Sequence, residues 1–431
     1  MYFLVKCVAD RTITGSGEVN MEGKAFRKGL SVAAIVLIAI AAVLLSLSRV
    51  NVLLYGREVA IFSVPFVAAA ALPLLTVLIV LMRYFNNTDT IEEMMGTIAV
   101  RYAVFGWCYI FLIKLASALL SAFCYDFYNR YYTSVYLIMN SVNVCIIGTC
   151  VLALCLRKIP AVKIEKRPMK FKQLFLLIMM MYGITQVGSM MGLPIDTILS
   201  APAAINTSTE ETLKSFQSSL LLSSDSVVRI ICVGILPAIF EELLFRKFLI
   251  DRTIRHGEFV SCAMSGIMFG LWHGNFQQFF FAFFVGVLFA FVYIRTGNII
   301  YTMILHASMN LVTSTITLEL VGKLFKEMGL DLGSGSINTD IDYDAMMSSI
   351  LPLILLLLLW IIILSGFNIA GFVLFIVKRK NFKLVAREGE PPRKVILHTM
   401  THSVTMWVFF AFALLLFVYS YAPDIVAAFL K

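Results

Sequence analysis

Ile239-Phe240-Glu241-Glu242-Leu243-Leu244-Phe245-Arg246 places two adjacent carboxylates and an arginine inside an apolar segment running from Val227 to Ile250. On insertion scales each such group at bilayer depth costs roughly 2.5–3.5 kcal/mol, or about 8 kcal/mol for the three before pairing. A helix that only anchors would not carry them, so the cluster reads as a functional site. Glu242 and Arg246 are four residues apart, share a helix face and can pair, which lowers the burial cost of both. Glu241 lies about 100° further around the helix and is left without that partner, which suits a general base or acid. Two further signals follow: Phe269-Gly-Leu-Trp-His273-Gly-Asn275, then His306-Ala-Ser-Met-Asn310, whose histidine and asparagine share one face. Each has an ordinary structural reading alone: a hydrogen-bonded packing histidine, an interhelical asparagine, a structural ion pair. Together, on neighbouring helices, they are the tools of hydrolysis. One group activates water, one relays protons, and donors stabilise an oxyanion.

The elements must bring these groups to one depth. If the helix carrying the glutamates reaches the cytoplasmic surface at Arg252 or Arg255, Glu241 lies about 16–21 Å deep. His273, counted from Glu258, lies at about 22 Å, and His306 and Asn310, counted from Asn298, at about 12 and 18 Å. All four converge near the midplane, open toward the cytoplasm. Convergence requires that helix to run past Arg246, with Arg246 and Lys247 below the surface. A stop at Arg246 would leave Glu241 only about 8 Å deep. Pro237 predicts a kink one turn before Glu241.

With 60% hydrophobic and only 14% charged residues among 431, the chain is an all-α polytopic membrane protein. Continuous apolar runs such as Ile354–Ile363 exclude the alternating strands of a membrane barrel. Eleven helices are expected: Ser31–Leu47, Val59–Met82, Tyr102–Tyr125, Val135–Leu156, Leu174–Leu193, Val227–Ile250, Phe259–His273, Phe276–Ile294, Ile299–Leu318, Ile350–Val377 and Val404–Tyr421. Two polar loops stand out, Pro194–Ser226 and Glu319–Ala345. With the N-terminus inside and loops alternating, 26 Lys and Arg fall on the cytoplasmic side and 8 outside. This ratio predicts an N-in, C-out topology. The net charge of +9 is therefore topology rather than nucleic-acid binding. The N-terminus has no clean signal-peptide core, so the first helix is expected to act as an uncleaved signal anchor. The eight cysteines, with no CxxC pair, read as small buried hydrophobes. Lys114 is expected to snorkel or meet a buried acid. Asn140 and Asn143 read as interhelical hydrogen-bonding residues, and His398 with His402 as a solvated pair opening the last helix.

The set Glu-Glu-x-x-x-Arg, Phe-x-x-x-His and His-x-x-x-Asn resembles the CPBP family of intramembrane proteases, which includes type II CAAX prenyl endopeptidases and the bacterial Abi proteins. The match lies on Glu241, Glu242 and Arg246; Phe269 and His273; His306 and Asn310, without a substitution at a motif position. The resemblance implies a CPBP-like catalytic helical core with a cavity facing the cytoplasmic leaflet. It assigns water activation to Glu241 and His273, the oxyanion to His306 and Asn310, and site organisation to Glu242 and Arg246. On this reading residues 1–29 are a cytoplasmic tail and 30–173 accessory membrane helices. Residues 174–320 form the catalytic core, and 321–431 a loop and two further helices.

Glu241, His273 and His306 also form a zinc-compatible donor set, although His-Glu-x-x-His is absent. A metal-free glutamate mechanism is the expectation, with zinc the alternative. The expected function is an intramembrane endopeptidase hydrolysing membrane-associated or CAAX-like substrates in a bacterial plasma membrane. Its partners would be the lipid bilayer and a peptide or membrane-anchored protein substrate. The rivals are a non-enzymatic membrane protein, such as a bacteriocin-immunity or partner-binding factor, and a proton-coupled transporter. Transporters often carry repeated halves, and no internal repeat is visible.

Overall fold

Long apolar runs without water to satisfy their backbone must close their hydrogen bonds internally, and a helix does this within one segment. The computed structural model describes residues 18–55, 60–84, 86–204, 224–331, 336–337, 343–386 and 389–429. They are nearly all helical, apart from one antiparallel pairing of Leu330–Asp331 with Ser336–Ile337. The helices are α1 (Glu18–Tyr55), α2 (Ala60–Tyr84), α3 (Ile91–Phe123), α4 (Tyr132–Leu156) and α5 (Phe171–Ala204). Then come α6 (residues 226–256), α7 (Glu258–Trp272), α8 (Phe276–Thr296), α9 (Ile299–Glu327), α10 (Tyr343–Lys378), α11 (Arg393–His402) and α12 (Val404–Phe429).

Each of the eleven predicted segments is helical over most of its described residues. Among those residues, eight helices are long and apolar enough to cross a membrane: α1, α3, α4, α5, α8, α9, α10 and α12. The chain is thus a multi-pass helical membrane protein. By length and hydropathy, eight of the eleven expected spans are thus supported among the described residues. α2 contributes the shorter apolar stretch Leu72–Tyr84. α7 has 15 residues, about 22 Å, short of the ~30 Å hydrocarbon core. α6 is absent from the eight and carries Glu241, Glu242, Arg246, Lys247, Asp251 and Arg252.

Some boundaries differ from expectation. α5 runs on through Pro194 to Ala204, into the expected loop Pro194–Ser226; residues 205–223 of that loop lie outside the described residues. Proline ends helices in water but is tolerated in membrane helices. The expected loop Glu319–Ala345 begins as helix, because Leu318, Val321, Leu324 and Phe325 recur at amphipathic spacing. Of the expected tail 1–29, residues 18–29 belong to α1 and 1–17 lie outside the described residues. Arg101, counted above with a cytoplasmic loop, is buried within α3, where it donates to Cys155 O, Thr97 O and Asn86 Oδ1. Lys114 meets a tyrosine rather than an acid, donating to the Tyr419 hydroxyl beneath it. His398 and His402 sit on their own helix, α11, with stacked rings and exposed edges. Asn140 accepts from Tyr109 Oη and Asn143 donates to Tyr109 O, each joining α4 to α3.

Packing follows two chains of neighbours. α1, α2 and α3 pack in sequence, with α12 against both α1 and α3. α7, α8 and α5 pack in sequence, with α10 against α5. One large core cluster joins residues of α1–α3, α6, α7, α8 and α12. α7 and α8 approach closely at Gly266 and Gly286: a Cβ on Gly286 would lie 3.0 Å from the Gly266 Cα. Asp225, Asn275 and Asn298 cap the starts of α6, α8 and α9 by accepting backbone N–H groups.

Candidate active site

α6 departs from α-helical geometry twice, and both departures serve the motif residues. Pro237 has no N–H to offer the carbonyl of Val233, its α-helical partner. The helix is widened into a π-turn just upstream, at Ile230–Ile235. Asn310 of α9 donates its Nδ2 to Val233 O at 3.2 Å, serving the carbonyl that Pro237 cannot. A second π-turn, Leu243–Phe248, begins directly after the glutamate pair. Its Leu244 and Phe245 carbonyls accept from the Tyr102 hydroxyl and from Ser265 Oγ, the latter at 2.8 Å. Such turns need outside donors for the backbone groups they displace and often mark functional sites.

The helix does not stop at Arg246. It continues past Arg246 as α-helix to Thr253 and as a 3₁₀ turn to His256. Lys247 pairs with Asp251 (Nζ–Oδ2 2.5 Å), and the Tyr293 hydroxyl donates to the other oxygen of Asp251 at 2.7 Å.

Glu242 and Arg246 are completely buried and face each other, Arg246 Nε to Glu242 Oε2 at 3.2 Å. The contact is charge to charge rather than an aligned hydrogen bond, since neither of those two atoms has a hydrogen-bond partner. The guanidinium lies over the rings of Phe269 (4.4 Å) and Phe289 (5.2 Å), and its Nη2 reaches Gly286 O at 3.5 Å. Its charge is thus met by one carboxylate and two aromatic faces.

His306, buried on α9, joins the two glutamates. Its Nδ1 lies 3.0 Å from Glu242 Oε1 and its Nε2 3.8 Å from Glu241 Oε2. A carboxylate only accepts, so Nδ1 carries the hydrogen of the first contact. Phe269 and Phe289 flank the imidazole, each with centroids 5.8 Å away. Glu241 keeps 14% of its side chain exposed, against 4% for His306 and none for Glu242.

His273 ends α7, with Nδ1 2.9 Å from Phe269 O. A carbonyl only accepts, so Nδ1 bears the hydrogen, and a neutral ring then carries its lone pair on Nε2. The ring lies edge-on to Phe269 at 5.0 Å and within electrostatic range of Glu241 and His306. The turn after it needs Gly274, whose φ is +65° and whose Cβ would lie 2.7 Å from the Leu416 Cβ.

The structure therefore brings Glu241, Glu242, Arg246 and His306 into direct contact, with His273 alongside. Glu241, His273 and Asn310 are partly exposed, whereas Glu242, Arg246 and His306 are buried. Asn310, one turn after His306 on α9, donates its Nδ2 to Val233 O. Sequence reasoning missed Tyr102, Ser265, Asp251 and Tyr293. Lys247–Asp251 could have been found by its four-residue spacing, and Tyr102 by its recurrence with Phe105 and Tyr109 on one helix face.

Residues 223–312 match the family model described as type II CAAX prenyl endopeptidase, Rce1-like. This match supports the resemblance of the segment to the CPBP/CAAX protease family. The Rce1-like segment contains every residue of the three motifs and covers about a fifth of the chain. The match implies protease activity. α1–α5 and α10–α12 lie outside it. No curated protein and no solved structure matches the chain.

Zinc needs at least three protein donors directed at one point. Among the described residues no group of three His, Cys, Asp or Glu side chains is placed to hold an ion. Glu241, His273 and His306 as arranged do not form such a set. His306 Nδ1 meets Glu242, which leaves its Nε2 free, and both imidazoles rest edge-on against Phe269.

Proposed function

We propose that the chain is an intramembrane endopeptidase that hydrolyses CAAX-like or other membrane-associated peptides reaching Glu241 from the cytoplasmic leaflet. One observation carries this reading: His306 joins two adjacent carboxylates, one buried against Arg246 and one left partly exposed. That division separates a fixed organising group from a working one, which is how one site runs proton chemistry with two carboxylates. Glu241 takes a proton from a water held between it and His273 Nε2. The hydroxide oxygen bonds to the scissile carbonyl carbon, the C–N bond breaks, and the proton goes to the leaving nitrogen. Asn310, anchored through Val233, and His306 face the oxyanion. With Nδ1–H given to Glu242, His306 offers a hydrogen there only when Nε2 also carries one. Glu242 and Arg246 hold the imidazole in place.

This reading routes no step through a metal, and a zinc site on Glu241, His273 and His306 is the alternative that the test below separates from it. The same reading takes the chain as N-in, C-out in a bacterial plasma membrane. The test uses purified protein in liposomes with a prenylated CAAX peptide, followed by mass spectrometry, before and after exhaustive chelation. Cleavage at an unchanged rate after chelation is expected. Zinc bound one-to-one and lost together with activity would overturn the metal-free mechanism.

A further inference from the structure

α3 lies wholly outside the Rce1-like segment, yet it touches both turns that carry the proposed chemistry. Tyr102, Phe105 and Tyr109 recur at i, i+3 and i+7 and form one face of the helix. Tyr102 donates its hydroxyl to Leu244 O in the π-turn after the glutamates, and its ring rests on Phe245 with centroids 5.8 Å apart. Phe105 stacks on Trp272, the residue before His273, at 4.7 Å and 11°. Tyr109 leans on the same indole at 5.7 Å. α3 therefore clamps α6 just after Glu242 and α7 just before His273.

The π-turn is the sensitive part. It begins directly after Glu242 and contains Arg246, so its width sets how far Arg246 comes round the axis to meet the carboxylate. A π-turn advances by a smaller angle per residue than an α-turn, and it persists where its displaced carbonyls find donors. Leu244 and Tyr102 are both completely buried, so water does not replace that hydroxyl. Glu242, once placed by Arg246, holds His306 through Nδ1.

We propose that Tyr102 is a positioning residue for the site, holding the π-turn at Leu243–Phe248 open through Leu244 O and so setting the Glu242–Arg246–His306 arrangement from outside the Rce1-like segment. This rests on the proteolytic reading above. α3 is then a wall of the catalytic unit rather than an accessory helix.

Four proteins decide it in liposomes with an internally quenched prenylated CAAX peptide: wild type, Tyr102→Phe, p-aminophenylalanine at 102, and Glu241→Gln. The amine variant keeps a donor where the hydroxyl stood. Glu241→Gln is expected to be inactive. Tyr102→Phe should insert normally, keep KM within about twofold and lose about tenfold in kcat, the cost of one lost buried hydrogen bond. The p-aminophenylalanine variant should recover most of that loss. An unchanged kcat in Tyr102→Phe, with Glu241→Gln inactive, overturns the proposal alone. So does failure of Tyr102→Phe to fold while the amine variant folds and works, since the hydroxyl would then be a folding contact. No cleavage by wild type, or full activity in Glu241→Gln, overturns the proteolytic reading and this inference with it.

Discussion

Glu242 has three jobs in a space that water does not enter: it faces Arg246, accepts from His306 and leaves Glu241 unencumbered. A buried charge that loses its partner is expensive. Glu242→Gln should therefore destabilise the protein by about 3–5 kcal/mol, because Arg246 remains charged and buried. Reversible unfolding in mixed detergent micelles measures this, and a loss below about 1 kcal/mol would show that the two groups do not depend on each other. The pairing of Glu242 with Arg246 was legible in the sequence because both lie on one helix, where four-residue spacing is contact. The bond from His306 to Glu242 was not, since it crosses between helices and depends on how α6 and α9 meet. For the same reason the bond from Asn310 to Val233 O was not legible, since it joins α9 to α6. The two phenylalanine rings that flank Arg246 and His306 were likewise hidden: Phe269 was visible as a motif residue, but Phe289 was one of many in an aromatic run.

At the level of elements, Pro237 and Asn310 act as one device. The proline withholds a donor from Val233 O and the asparagine supplies one from α9. Asn310→Ala should cost about 1 kcal/mol in the wild-type background, in keeping with hydrogen bonds between membrane helices. In a Pro237→Ala background the helix regains its own N–H, so the same substitution should cost less. A double-mutant cycle of unfolding free energies reads the difference, and strict additivity would refute the coupling. The helices themselves were readable because apolar runs and Asn or Asp caps are local signals. The π-turns were not, because they answer to Tyr102, Ser265 and Asn310 on other elements. Polar composition misled twice: it made loops of the end of α5 and of residues 319–327, where helix tolerance for proline in membranes and amphipathic spacing prevailed.

For the molecule as a whole, basic residues forecast an orientation that places the segment after α3 outside. Cys124 ends that helix and is exposed. In a variant retaining Cys124 alone, a membrane-impermeant maleimide should label intact cells. Labelling only after permeabilisation would reverse the topology and, with it, the leaflet from which substrate approaches. Among the described residues, eight helices satisfy the length and hydropathy of a span, and α6 is not one of them. A segment with so many ionisable groups at its centre is stabilised by the helices packed on it, α4, α7, α8 and α9, with α3 reaching it through Tyr102. The Rce1-like segment is thus chemically complete in its motifs but not in its walls, which come partly from α3.

The central claim is that Glu241, and not its buried neighbour, works on water. The direct measurement is the rate of prenylated-peptide hydrolysis by Glu241→Gln in liposomes, set beside its unfolding free energy. The account predicts a fall of about 10²–10⁴-fold in kcat, with stability close to wild type, since Glu241 is partly exposed and is not the partner of Arg246. Hydrolysis at the wild-type rate by a correctly inserted Glu241→Gln protein would contradict it.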